Sequence, residues 1–138
     1  MPGGISNPII GYLGFCAVKF AGYSLAARFI SRNYGRTDRN AFIVGGVRTL
    51  IGMAAGAAYF SLWRLIPGAA AAGGVGYLGG LIPVRILEWW LLLWLFYDHQ
   101  LQQTPKDWRT VALATIWSYA LDVPALIGLL VTGGVWVC

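Results

Sequence analysis

Two short polar runs divide the chain into long apolar segments, and this division constrains the fold more than any other feature. The runs are residues 31–40 (SRNYGRTDRN) and 98–109 (DHQLQQTPKDWR). In the whole chain, 58% of residues are hydrophobic and 11% are charged, whereas a soluble domain carries about 25% charged residues. Because the excess of apolar side chains has to face lipid, and one spanning helix takes about 20 residues, the sequence predicts an all-α integral membrane protein with four transmembrane helices.

The four predicted spans form a single domain over residues 1–138, with limits at about 9–30, 41–63, 75–97 and 110–131. The start of the third span stays open, because residues 65–83 are uncharged and rich in Gly and Ala. This stretch is a loop, an early start of the third helix, or a re-entrant element. Its formal GxGxxG pattern lies in no βαβ unit, so it does not predict a dinucleotide site.

Lysine and arginine are concentrated at one end of the predicted bundle, and this sets its orientation. The two polar runs and their edges hold six of these residues, against one or two at the opposite end. The six are Arg28, Arg32, Arg36, Arg39, Lys106 and Arg109. By the positive-inside rule, residues 31–40 and 98–109 lie in the cytoplasm, and both termini lie outside a cell (inner or plasma) membrane. Because the basic residues form no face of a soluble domain, the net charge of +5 predicts no nucleic-acid partner.

Five ionisable side chains fall inside the predicted spans: Lys19, Arg48, Arg85, Glu88 and Asp122. A charge at the bilayer centre costs about 2.5–3.5 kcal/mol, so such groups normally face the bundle interior and find partners. Polar residues on the same helix faces complete a candidate ligand-binding or charge cluster: Tyr59, Ser118 and Tyr119. Four helices that each carry one polar or small-residue face predict a compact bundle with a polar, charged interior.

Two pairings decide what the predicted cluster does. Lys19 is the first expected partner of Asp122 because both lie near mid-membrane, and Arg48 is the second. Glu88 either pairs with Arg48, which makes the site structural, or pairs with Arg85, which leaves Arg48 open to an anion. We favour the open arrangement.

The position of Arg85 is left open by the sequence. It is buried if the third helix starts early, and interfacial if Pro83 is the first helical residue. If all five charges are buried, three cations face two anions. The surplus cation then marks an anion-binding cavity or reaches a lipid phosphate.

Small residues indicate close helix packing in the second span. Gly52 and Gly56 have the spacing that lets two helices approach, and Gly45 shares a face with Gly52. In the fourth span, Pro124 follows Asp122 by two residues, and we interpret it as a simple kink rather than the break of a binding site. The two cysteines, Cys16 and Cys138, form no disulfide framework or zinc motif, so we expect no metal and no cofactor.

Three function classes fit these features, and we favour them in the order given. The first is binding or transport of a small anionic solute or lipid headgroup through a polar intramembrane cavity, by an oligomer. The second is a non-catalytic membrane subunit or assembly factor whose buried charges are structural. The third is a membrane enzyme acting on a phospholipid or polyprenyl phosphate, in which Arg48 and Lys19 hold phosphate. The expected partners are membrane lipids and either further copies of the chain or a larger membrane complex.

Overall fold

The computed structural model describes residues 8–68, 73–100, 102 and 104–132, and it is all-helical in these parts of the chain. The four helices are α1 (Pro8–Asn33), α2 (Ala41–Leu65), α3 (Gly73–Phe96) and α4 (Thr104–Thr132). No strand occurs in the described residues. The Trp136 and Cys138 end of the chain, and residues 69–72, lie outside the described residues.

Three of the helices are long and apolar enough to cross a membrane: Leu13–Asn33, Ala41–Leu65 and Gly76–Phe96. Large side chains on their outer surfaces are apolar, as the exposed fractions of Phe29 (64%), Leu50 (66%) and Leu87 (67%) show. An apolar surface of this extent is what lipid, rather than water, solvates well.

The helices form a ring in which each one packs against two neighbours. α1 packs against α2 and α4, and α3 packs against the same two helices from the opposite side. The α1–α2 and α3–α4 connections lie together at one end of the bundle, where Lys106 Nζ donates a hydrogen bond to the carbonyl of Asn33 at 2.7 Å. We call this end, formed by residues 31–40 and 97–109, the basic end.

Glycine permits the closest of these helix contacts. A Cβ atom at Gly45 would lie 2.8 Å from Ser24 Cα, so only glycine lets α2 approach the backbone of α1 there. At Gly52 a Cβ would lie 3.0 Å from a terminal nitrogen of Arg48, so this glycine leaves room for a charged side chain. Gly56, predicted together with them, is half-buried.

The structure decides between the alternatives left open for the third span. α3 begins at Gly73 and runs through Pro83, so the proline lies inside the helix and is not its first residue. Arg85 therefore lies roughly three turns after the start of α3 rather than in its first turn. Its side chain is buried, with 1% of the residue exposed. The interfacial alternative for Arg85 is wrong. It failed because proline is tolerated inside membrane helices when neighbouring side chains compensate for the lost hydrogen bond.

The helices also extend beyond the predicted apolar limits at the basic end. α1 continues to Asn33 and α4 begins at Thr104, before the predicted start near residue 110. The predicted limits followed the apolar residues, so they left out polar residues at the helix ends. Pro105 in the first turn of α4 is a residue that favours a helix start. The extra turns bring the end of α1 and the start of α4 into contact.

Candidate functional site: a buried ladder of charges

All five predicted intramembrane charges are buried and meet in the interior of the bundle. Their exposed fractions are 0–4%. α1 contributes Lys19, α2 contributes Arg48, α3 contributes Arg85 and Glu88, and α4 contributes Asp122. The side chains alternate in sign in the order Arg48, Glu88, Arg85, Asp122, Lys19. We call this set the charge ladder.

Glu88 joins the two arginines of the ladder. Its Oε2 atom lies 2.6 Å from a terminal nitrogen of Arg48 and 3.3 Å from one of Arg85. The prediction that Arg48 is left open is therefore wrong. It treated the two pairings of Glu88 as exclusive, whereas one carboxylate oxygen has lone pairs enough to accept from both guanidinium groups.

Asp122 joins the second half of the ladder. Lys19 Nζ contacts Asp122 Oδ1, and a terminal nitrogen of Arg85 lies 3.4 Å from Asp122 Oδ2. The predicted Lys19–Asp122 pair is confirmed. Arg85 bridges the two carboxylates, which makes one continuous network from two separate predicted pairs.

The ladder crosses the bundle from α2 through α3 and α4 to α1, and it also extends along the bundle axis. At a rise of 1.5 Å per residue, Arg48 lies roughly 10 Å along α2 from the basic end, and Lys19 lies roughly 20 Å along α1 from the same end. The helices therefore hold charges of alternating sign at successive depths of an apolar bundle. Removing Glu88 or Asp122 would take from Arg48 or Lys19 the carboxylate that it contacts at low dielectric, which is costly.

Aromatic rings take up the surplus positive charge of the ladder. Arg48 Cζ lies 4.7 Å from the ring centre of Tyr23 and 4.8 Å from that of Trp89. Lys19 Nζ lies 5.1 Å from the ring centre of Phe15 and 5.6 Å from that of Tyr23. Contacts of a cation with a ring face are worth about 2 kcal/mol or more each when desolvated. The rings thus stabilise cations that the two carboxylates do not fully neutralise.

Sequence reasoning missed most of this aromatic contribution. Tyr23 follows Lys19 by one helical turn on the same face, so a signal for it was present. No sequence signal pointed to Trp89, because it stands in a run of apolar residues in which inward-facing and outward-facing positions have the same residue types. In the structure Trp89 is 1% exposed and its Nε1 donates to Ser118 Oγ at 2.9 Å.

The other predicted polar residues support the bundle instead of joining the ladder. Ser118 accepts the hydrogen bond of Trp89. Tyr59 donates to the carbonyl of Tyr77 at 3.0 Å, and Tyr119 donates to the carbonyl of Leu78 at 2.8 Å. Both tyrosines therefore bind backbone carbonyls of α3 in the turns that precede Pro83.

A second buried polar contact lies at the basic end. The Tyr34 hydroxyl donates to Asp107 Oδ1 at 2.5 Å, and Asp107 is fully buried. Burial, together with this hydrogen bond, raises the pKa of Tyr34 to about 12, so the hydroxyl keeps its proton. Lys106 Nζ lies 4.3 Å from the ring centre of Tyr34. These contacts join α1 to α4, and nothing in the sequence pattern singled them out.

Two grooves open on the outside of the bundle, and none of the described residues that line them belongs to the ladder. The recess beside Lys19, Tyr23 and Gly52 has no room for a water molecule. A groove of 620 Å³ opens between α1 and α2 at the basic end, and one of 430 Å³ opens between α1 and α4. In the described parts of the chain, no three His, Cys, Asp or Glu side chains are placed to hold a metal ion.

Comparison with protein families, with characterised proteins and with solved structures finds no match. The function therefore has to be argued from the ladder and the surfaces of the bundle.

Proposed function

We propose that the chain is a non-catalytic membrane subunit or assembly factor in which the charge ladder is structural. The observation that carries this proposal is the 2.6 Å contact of Arg48 with Glu88, next to a recess without room for water. A site for a solute or headgroup within the ladder needs an open cation and space, and an enzyme needs a carboxylate free to move a proton. Both carboxylates of the ladder are instead engaged by cations on other helices, which favours the second predicted function class.

The proposal includes α4 as a fourth span. α4 has 29 residues, about 43 Å at helical rise, and the apolar core of a bilayer is about 30 Å thick. Its outward side chains are apolar, with exposed fractions of 58% for Leu113 and 65% for Ile116. Its polar side chains, Ser118 and Asp122, face inward, as they must in a helix surrounded by lipid.

The proposed orientation has the basic end in the cytoplasm and both termini outside a cell membrane. Its support is the set of exposed or partly exposed arginines at that end, none of which belongs to the ladder: Arg28, Arg32, Arg36, Arg39 and Arg109. Positive charge of this kind is retained on the cytoplasmic side. In this role the protein acts by association, with further copies of itself or with a larger membrane complex.

A structural ladder predicts that single charge removals destabilise the fold. Asp122→Asn should lower the unfolding free energy in detergent by about 3–5 kcal/mol, because Lys19 and Arg85 lose their shared partner. Adding Lys19→Met should recover part of that loss. The matched control is Asp38→Asn, which changes an exposed carboxylate 3.7 Å from Arg39 and should leave stability unchanged.

Thermal unfolding of the purified variants is the measurement. If Asp122→Asn unfolds like the unmodified protein, the charge is not needed for folding. The binding or transport class would then be favoured over the structural one.

A further inference from the structure

The groove between α1 and α2 combines an apolar floor with a basic rim. Its α1 side follows one helix face from Ala21 through Leu25 to Arg28 and Arg32, at spacings of three or four residues. The start of α2 closes the other side with Phe42, which is 67% exposed. The volume is 620 Å³.

Three arginines surround the open end of this groove. Arg28 and Arg32 come from α1, and Arg39 comes from the connection to α2. Among the described residues that line the groove, none is acidic. Among the described residues, Arg39 forms an ion pair with the exposed Asp38, at 3.7 Å. The positive end of the α2 dipole, at Ala41 and Phe42, opens into the same space and adds to the attraction for an anion.

Polarity changes along the groove in the direction of the bundle axis. Ala21 and Arg32 are separated by roughly 16 Å of helix. The apolar part therefore lies beside the lipid-facing surface of α1, and the arginines lie at the basic end. A phospholipid has the same distribution: an anionic phosphate at the membrane surface and acyl chains below it. A free small anion would match only the rim of the groove.

We propose that this groove is a binding site for a phospholipid with net negative charge, in the leaflet at the basic end. The arginines bind the phosphate because each planar guanidinium group can donate two N–H hydrogen bonds to two phosphate oxygens. The first part of one acyl chain lies against Ala21, Leu25 and Phe42. The site is separate from the charge ladder, so it does not depend on whether the ladder is structural.

The test is a lipid titration of the purified full chain in detergent, followed by thermal unfolding. Dioleoyl phosphatidylglycerol should raise the unfolding temperature, and dioleoyl phosphatidylcholine and inorganic phosphate should not. Arg28→Gln, Arg32→Gln and Arg39→Gln should each weaken the apparent affinity for phosphatidylglycerol about fivefold. Arg36→Gln is the matched control, because Arg36 is exposed in the same connection and does not line the groove.

A second pair of variants tests the acyl-chain part without altering charge. Ala21→Trp fills the groove and should also weaken phosphatidylglycerol binding. Ala17→Trp places the same side chain one turn away, at an exposed position that does not line the groove, and should leave binding unchanged.

Three results would overturn the proposal. Equal weakening by Arg36→Gln would mean that only the total charge of this end matters. Stabilisation by inorganic phosphate at the same concentration would mean a small-anion site. Unchanged binding in Ala21→Trp would mean that no acyl chain enters the groove.

Discussion

At the scale of single residues, the interior is stabilised by sharing rather than by isolated pairs. Glu88 forms ion pairs with two arginines, and Arg85 forms ion pairs with two carboxylates. Arg48 also lies over two aromatic rings. The Lys19–Asp122 contact was predictable because depth follows from position along a helix. The Arg48–Glu88 contact was one of two alternatives for Glu88. Its sharing between Arg48 and Arg85 was not predictable, because sequence spacing gives the depth of a side chain but not how many partners one oxygen accepts.

The rings are expected to stabilise the cations, and Tyr23 tests this. Tyr23→Phe keeps the ring and loses only an oxygen 3.4 Å from Lys19 Nζ, so it should cost about 1 kcal/mol. Tyr23→Leu removes the ring face shared by Lys19 and Arg48 and should cost at least about 2 kcal/mol more. Denaturant or thermal unfolding in detergent measures both losses.

The control for this comparison is the background Arg48→Met. There the ring faces one cation fewer, so Tyr23→Leu should cost less than in the unmodified chain. The same cost in both backgrounds would show that the ring acts by packing alone.

At the scale of helices, the elements were largely readable from hydropathy, and their contacts were not. Four apolar segments gave four helices, and α1 and α4 extend furthest beyond their predicted spans. The small-residue pattern of α2 pointed to close packing, but it could not identify α1 as the neighbour at Gly45. The burial of Arg85 followed from continuation of α3 through Pro83, which a rule based on proline at helix starts cannot anticipate.

Gly45→Ala should destabilise the α1–α2 contact. The added Cβ would lie 2.8 Å from Ser24 Cα, and relieving that overlap requires backbone movement costing about 1–3 kcal/mol. Gly14→Ala is the matched control, because a Cβ atom at Gly14 would have no neighbouring atom within 4 Å. This change should leave stability unchanged or raise it by up to about 1 kcal/mol, since alanine has the higher helix propensity. Unfolding in detergent compares the two. Equal effects at both positions would contradict a close approach at Gly45.

At the scale of the whole molecule, the described chain is an up-and-down bundle with its charge on the inside and at one end. The sequence alone was enough to assign the polar faces of the four helices to a common interior. Five charges within the apolar segments would contact lipid if these faces pointed outward. The grooves could not be predicted, since they depend on how far neighbouring helices separate at the surface.

The proposed orientation predicts which connections are reachable from outside the cell. Single cysteines are introduced with Cys16 and Cys138 replaced by serine, and intact cells are treated with an impermeant thiol reagent. Thr37→Cys and Gln102→Cys, both exposed at the basic end, should resist labelling, and Pro67→Cys, exposed in the α2–α3 connection, should be labelled. Labelling of either basic-end cysteine in intact cells would contradict the proposed topology.

The central claim is that the charges of the ladder pair with one another and leave no cation open to a ligand. A double-mutant cycle on Arg48 and Glu88 tests this claim most directly. Arg48→Met and Glu88→Gln are measured singly and together by unfolding of the purified protein in detergent. Glu88→Gln should cost about 3–5 kcal/mol, because it removes the carboxylate that Arg48 contacts in a buried site. Arg48→Met should cost less, because Glu88 keeps its contact with Arg85. The double variant should be more stable than the sum of the single losses predicts, with a coupling of about 1–3 kcal/mol. Losses that simply add, within about 0.5 kcal/mol, would show that the two side chains act independently and would contradict a closed structural ladder.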